Sequence, residues 1–235
     1  MSGIYDELYY KSNNYTTYLQ RKERYSKTAT EILEFLNKIN HDHGPILDFG
    51  CAVGFLTEAL LEKGHEVDSV DVSEWCIEEA KKKNLTVTRA PNYDKEYGIT
   101  FALDVLEHIK DDMHLLENFR KVIQPQGKLL LKVPACPWLY GSIDKASGHF
   151  RRYTKTMLTE KLKKAGWTPR KVSYMNISGV LPYFIKSRVL RNNANFSRTF
   201  SKSQIKILKF LMPLFKNIDY LVGPPIGQSL VVVAE

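Results

Sequence analysis

The sequence predicts an α/β chain: a mostly parallel sheet with helices on both faces. Apolar runs of strand length alternate with longer segments of helical periodicity through most of the chain. The run Ile46-Leu47-Asp48-Phe49 passes straight into a turn of small residues and then a helix, the ordinary opening of a β-α-β unit. Hydrophobic residues make up 43% of the 235, enough for one full core.

Each element follows in order. Residues 1–44 read as a helical cap, with a helix from about Tyr18 to Asn40. In its second part Ala29, Ile32, Leu33, Leu36 and Ile39 share one helical face. Strand 45–49, helix 54–63, strand 66–71, helix 73–83, strands 85–89 and 99–104, helix 113–122 and strand 128–133 come next. Thr154 is placed to cap a helix that runs to Ala165 and stops at Gly166. A strand from Thr168 to Met175 and a valine-rich strand from Ser229 to Ala234 complete the core. The organisation is thus a cap (1–44), a core (45–178), an insertion (179–224) and a final strand (225–235).

The insertion carries the charge. Between Gly179 and Pro224 lie Lys186, Arg188, Arg191, Arg198, Lys202, Lys206, Lys209 and Lys216 against Asp219 alone, so +7 of the net +8 sits there. From Ser203 to Ile218 the apolar residues fill a wide arc, with Lys206, Lys209 and Lys216 opposite them and Pro213 kinking or splitting the helix. This segment is either a lid on the sheet with solvated lysines or a basic amphipathic helix lying on an anionic membrane. Contact with nucleic acid is disfavoured, because the interleaved residues are aliphatic rather than aromatic.

Cys51, Cys76 and Cys136 show no metal-type or C-x-x-C spacing, which points to a reduced, cytoplasmic compartment and to no metal. The segment Met1–Tyr10 has no apolar core and does not read as a signal peptide, and no window is long and apolar enough to span a membrane.

The small residues Gly50, Ala52 and Gly54 let backbone pass close to a ligand at a helix start. Asp71 closes the second strand, placed to accept hydrogen bonds from a ribose. Together they read as an adenosine-cofactor site. The spacing is not the G-x-G-x-x-G of dinucleotide sites, and no G-K-[ST] follows.

With Asp48 before the turn and Asp71 after it, the pattern resembles the class I S-adenosylmethionine-dependent methyltransferases. Leu103-Asp104-Val105-Leu106-Glu107-His108 and Pro125-Gln126-Gly127 strengthen the likeness. The stretches Tyr140–Asp144 and Gly148–Thr154 resemble a bacterial-type, small-molecule subset of that family. The resemblance implies a Rossmann-like, seven-stranded sheet whose last strand is antiparallel. It implies that Asp48, Gly50, Cys51, Ala52 and Gly54 surround the methionine end, that Asp71 takes the ribose, and that Val72 with Trp75 edges the adenine. It implies further that Asn92 reads the adenine amino group, that Leu103 touches the cofactor through backbone, and that Arg21 or Arg24 reaches the methionine carboxylate. The acceptor pocket falls beside His108 and His149.

A small or lipid-like acceptor methylated on oxygen or nitrogen is the first expectation. His149 is either a base or a lock on its own turn, and His108 is either a second candidate base or a loop support. Arg151, Arg152 and Tyr153 are expected to contact the acceptor, and the arginines could equally pair with Asp144. A nucleic-acid methyltransferase is the alternative prompted by charge, although Asp104-Val105-Leu106-Glu107 stands where amino-methylating enzymes carry an Asn/Asp-Pro-Pro-aromatic loop. A non-catalytic S-adenosylmethionine-binding module is the other. Acceptor identity and oligomeric state stay open at this level.

Overall fold

The computed structural model describes residues 44–189 and 225–235. Strand β1 (Ile46–Phe49), helix α1 (Phe55–Leu61) and strand β2 (Val67–Val70) form the first crossover unit, followed by α2 (Glu74–Lys81), β3 (Val87–Thr88) and β4 (Tyr97–Leu103). Helix α3 (Asp112–Val122) leads into β5 (Ile123–Pro134), and α4 (Ser142–Ala146), α5 (Lys155–Lys164), β6 (Pro169–Met175), α6 (Val180–Phe184) and β7 (Ser229–Ala234) complete the order.

The strands form one seven-stranded sheet in the order β3-β2-β1-β4-β5-β7-β6. Strand β1 is parallel to β2 and to β4, with Asp48 opposite Ser69 on one side and Phe101 on the other. The expected antiparallel end is present: β6 and β7 run in opposite directions, with Met175 opposite Ser229.

The described residues fall into two compact units, 44–103 with 118–129, and 104–117 with 130–189 and 225–235. In the first, Leu47, Val70, Tyr97 and Val122 pack together with Phe49 against them. Strand β4 is buried along nearly its whole length, as a central parallel strand covered on both faces must be. A Cβ on Gly127 would lie 2.9 Å from the Gly98 carbonyl oxygen, which is why the Pro125-Gln126-Gly127 run ends in a residue without one. In the second unit Leu158 and Leu162 bury one face of α5, and the Trp167 indole N–H donates to the Leu116 carbonyl at 2.9 Å. Thr154 caps α5 by accepting from the Met157 N–H, and Gly166 beyond it takes φ +82°, both as the sequence predicts.

Three departures matter. Strand β5 starts at Ile123 rather than 128, running on from α3 through Pro125. The third strand shrinks to Val87–Thr88. Helix α4 is too short for periodicity to announce; it is set by Asp144, whose carboxylate accepts the Gly141 N–H at 2.9 Å. Beyond α6, residues Ile185–Val189 form a π-helical turn in which Lys186 is buried. The expected cap helix over 18–40 with Arg21 and Arg24, and the basic helix over 203–218 with Pro213, lie outside the described residues.

Candidate active site

One candidate group, in the first unit, is the turn after β1. Gly50, Ala52 and Gly54 all take left-handed φ, at +78°, +51° and +78°. Only glycine adopts this region without a cost of about 1–2 kcal/mol, so Ala52 is the strained member. The Gly50 and Cys51 N–H groups both donate to the Val70 carbonyl, tying the turn to β2. Asp71 completes the tie. Its Oδ2 accepts the Ala52 N–H and its Oδ1 the Ser73 N–H, each at 2.8 Å. Burial raises the Asp71 pKa, and the backbone N–H groups of Ser73, Ala52 and Val72 oppose that rise.

Asp48 faces elsewhere. It is 3% exposed, and its Oδ2 accepts the Thr57 hydroxyl at 2.7 Å, while Thr57 and Ser69 hydroxyls lie 2.8 Å apart. Burial lifts its pKa to about 6, with the nearby Asp71 charge adding to the rise and the Thr57 hydrogen bond resisting it. The buried Cys51 thiol is pushed up by desolvation and by both carboxylates, which makes it a poor nucleophile. Val72 is 73% exposed and Asn92 is exposed, its Oδ1 accepting the Asp94 N–H. Leu103, half-buried, ends β4.

A separate candidate group, in the second unit, gathers on residues 104–117 and 135–153. Asp104 takes φ +57°, donates its N–H to the Lys132 carbonyl and pairs its carboxylate with Lys132. A 3₁₀ turn, Leu106–His108, then buries Glu107 at 1% exposure. Glu107 Oε1 lies 4.0 Å from the Nε2 of both His108 and His149, and its Oε2 has no hydrogen-bond partner among the described residues. Burial, then the Asp104 charge, push this carboxyl well above the ordinary range. The two imidazoles meet edge to face at 4.6 Å. Burial, then His149, bring the His108 pKa down to about 4.

Asp144 is the hub of this second group. Its Oδ1 lies 3.0 Å from His149 Nδ1 and accepts from Arg152 Nε at 2.7 Å. Burial alone would raise its pKa; His149, Arg152 and the Gly141 N–H together bring it below the usual value. Arg152 is 3% exposed and also donates to the Ala135 carbonyl at 2.9 Å. A second group centres on Asp112, which binds Lys161 at 2.7 Å, Arg151 at 2.8 Å and the Tyr153 hydroxyl at 2.9 Å.

A family model described as a methyltransferase domain matches residues 19–172, well over half of the chain. The chain belongs to this methyltransferase family. The family's cofactor is S-adenosylmethionine. Its fold matches a solved S-adenosylmethionine-dependent methyltransferase from Clostridium acetobutylicum at a TM-score of 0.60 and 13% identity, over 90% of this chain and 91% of that one. Phosphoethanolamine N-methyltransferase 2 of Haemonchus contortus, solved with S-adenosyl-L-methionine, matches at a TM-score of 0.57 and 17% identity, over 87% of this chain and 52% of its own. Among curated proteins, the ubiquinone biosynthesis O-methyltransferase of Idiomarina loihiensis is 26% identical over 144 residues, 49% of this chain and 59% of that protein. The chain thus spans less than two thirds of that relative's length.

Set against this family, the residues expected from sequence sort themselves. The structure brings Asp71 to the glycine turn, but Asp48 is turned into the start of α1, so holding the turn falls to Asp71. His108 and His149 come together, as do Arg152 and Asp144. Two expectations are corrected. Tyr153 has no exposed surface and its hydroxyl is spent on Asp112 and the Leu106 carbonyl, and Arg152 is buried on Asp144; neither is free to grip an acceptor. Arg151 pairs with Asp112 and the Lys110 carbonyl rather than with Asp144. Glu107, His108 and His149 each bring an atom of ligating type to within 4.8 Å of the others. Sequence reasoning names Asp144 as a partner for the arginines but not for His149, and it misses Thr57 and Ser69, since nothing in their spacing sets them apart from ordinary helix and strand residues.

Proposed function

We propose that this methyltransferase binds S-adenosylmethionine at the turn 50–54 and moves its methyl group to an oxygen or nitrogen of a small or lipid-like acceptor. The observation that carries the reading is the Asp71 carboxylate bridging the Ala52 and Ser73 N–H groups across a turn of three left-handed residues. Each oxygen keeps a second lone pair, enough for ribose hydroxyls. Two carboxylates, Asp48 and Asp71, flank the turn, a setting that suits a cationic sulfonium and repels a diphosphate. Residues Gly50, Cys51, Ala52, Gly54, Asp71, Val72, Asn92 and Leu103 would hold the cofactor. Bound there, it supplies a methyl group carried on positive sulfur.

The chain's own part is to orient the acceptor, exclude water and take a proton. His149 is the base in this reading. His108, brought down to about 4 and half-buried, is too weak a base for the task and supports the loop instead. The names of the relatives support the acceptor class: one acts in ubiquinone biosynthesis on oxygen, another on the nitrogen of phosphoethanolamine. Peripheral membrane contact through 203–218 fits a lipid-like acceptor. The nucleic-acid reading rests on the +8 net charge and gains no support from the site's geometry.

Incubation with labelled S-adenosylmethionine and a panel of prenylated catechols, plain catechols and phosphoethanolamine tests the reading. Label on any of them supports it; cofactor binding without transfer to any, or to a whole-cell extract, favours a non-catalytic module.

A further inference from the structure

We infer that Asp144 is a positioning residue for His149: it fixes the imidazole with its proton on Nδ1 and leaves the Nε2 lone pair to receive a proton from the methyl acceptor. The inference rests on the reading of His149 as the base.

The geometry holds the ring from several directions. Asp144 Oδ1 lies 3.0 Å from Nδ1, and an ionised carboxylate only accepts, so Nδ1 is the donor. The carboxylate itself cannot turn away. Arg152 Nε holds Oδ1 at 2.7 Å, the Gly141 N–H holds Oδ2 at 2.9 Å, and the Arg152 guanidinium is in turn fixed by the Ala135 carbonyl and by the Tyr183 ring, 4.2 Å away. The His149 backbone is pinned as well. Its N–H donates to the Asp144 carbonyl at 3.0 Å and its carbonyl accepts the Tyr140 hydroxyl at 2.7 Å.

Nε2 is left differently. Among the described residues Glu107 Oε1 comes to 4.0 Å from Nε2, outside hydrogen-bond range, and the His108 ring meets this one at 4.6 Å. The neutral ring therefore offers an unspent lone pair on one nitrogen and a charge-assisted bond on the other, the arrangement in which a hydrogen bond at one nitrogen decides the chemistry of the other. A fully buried Asp–Arg pair is weak evidence for stability, because apolar residues of the same volume commonly hold a fold as well. What this pair supplies is direction.

With S-adenosylmethionine bound, its sulfonium would supply the methyl group and keep the electrons of the carbon–sulfur bond, the acceptor's heteroatom would bond that carbon with its lone pair, and the acceptor's proton would pass to Nε2. The imidazolium so formed is matched by the Asp144 charge.

The test reads the tautomer directly. Long-range proton–nitrogen spectra of the ¹⁵N-labelled chain, with the His149 signals assigned through His149→Gln, should show Nδ1 protonated and Nε2 bare in the neutral ring. Asp144→Asn can donate its amide N–H to Nδ1 and should move the proton to Nε2. With a short-chain prenylated catechol as probe, kcat should fall about 100-fold or more while KM changes less than about 3-fold. Binding of S-adenosylhomocysteine should be unchanged. A wild-type ring with its proton on Nε2, or an Asp144→Asn chain that folds and keeps the wild-type tautomer and kcat, overturns the inference. If Asp144→Asn does not fold, the wild-type spectrum alone decides. The expected tautomer in a chain that transfers no methyl group supports the positioning and contradicts the functional reading instead.

Discussion

Asp71 and Ala52, nineteen residues apart, are joined by a 2.8 Å hydrogen bond from the Ala52 N–H to the Asp71 carboxylate. With the matching bond from Ser73, one side chain fixes both the turn after β1 and the start of α2. It holds an alanine in a left-handed conformation and sets the surface on which the cofactor would sit. Removing it should be felt twice. Asp71→Ala is expected to cost about 1–3 kcal/mol of stability by leaving two N–H donors without their acceptor, and to weaken S-adenosylmethionine binding at least about 10-fold. Denaturant titration and calorimetry check the two effects separately. Full-affinity binding would remove Asp71 from the cofactor site.

Gly54 and Gly64 offer a controlled comparison. Both have positive φ, but a Cβ on Gly54 would come to 2.5 Å from Leu85 Cδ1, whereas one on Gly64 meets nothing within 4 Å. Gly64→Ala should therefore cost only the conformational term, about 1 kcal/mol. Gly54→Ala should cost about 1–3 kcal/mol more through overpacking, and adding Leu85→Ala should recover part of that excess. Thermal melts of the four chains measure it.

Asp48 gives a pH dependence with a definite sign. Its folded pKa, about 6, lies above the unfolded value of 3.8, so the folded chain keeps a proton that the unfolded chain releases. The resulting stabilisation is full below the unfolded value and is lost as pH rises through about 6. At about 1.36 kcal/mol per unit, Asp48 makes the protein roughly 3 kcal/mol less stable at pH 7.5 than at pH 3.5, on top of whatever other groups do. Asp48→Asn should remove that slope while keeping an acceptor for Thr57. An unchanged slope in guanidinium unfolding at the two pH values would contradict the assignment.

How much of this was legible in the sequence depended on whether a residue's role was set by chain position or by side-chain direction. The alternation of strands and helices, the Thr154 cap and the Gly166 stop are local, and they read through. Asp71 was found because it closes a strand one crossover after a small-residue turn. Asp48 is expected at the methionine end, and only the structure shows its carboxylate turned to Thr57. The run Arg151-Arg152-Tyr153 looks like a basic grip on an acceptor; in the fold Arg152 is buried on Asp144 and the Tyr153 hydroxyl on Asp112, and only Arg151 keeps part of its surface. Asp144 is legible only as a partner for an arginine and Asp112 not at all, because an acid becomes a hub only through what the fold brings to it.

The two arginines should therefore behave differently. Arg152→Met leaves the fully buried Asp144 without its cation and should destabilise by about 3–5 kcal/mol. Arg151→Met, at a partly exposed site, should cost about 1 kcal/mol or less. Comparable losses in melting temperature would mean that Arg152 is not the inner partner.

The proposed membrane contact has its own check. Changing Lys206, Lys209 and Lys216 to Glu should abolish sedimentation with vesicles rich in anionic lipid and leave binding of the cofactor product intact. Unchanged sedimentation would assign the segment to a lid.

The central claim is that the turn 50–54 with Asp71 binds S-adenosylmethionine. Isothermal calorimetry with S-adenosylhomocysteine measures it most directly. One site per chain with a dissociation constant on the order of 1–100 µM, weakened at least about 10-fold in Asp71→Ala, is the expected result. No heat of binding to a folded chain, or equal affinity in the variant, would contradict the account.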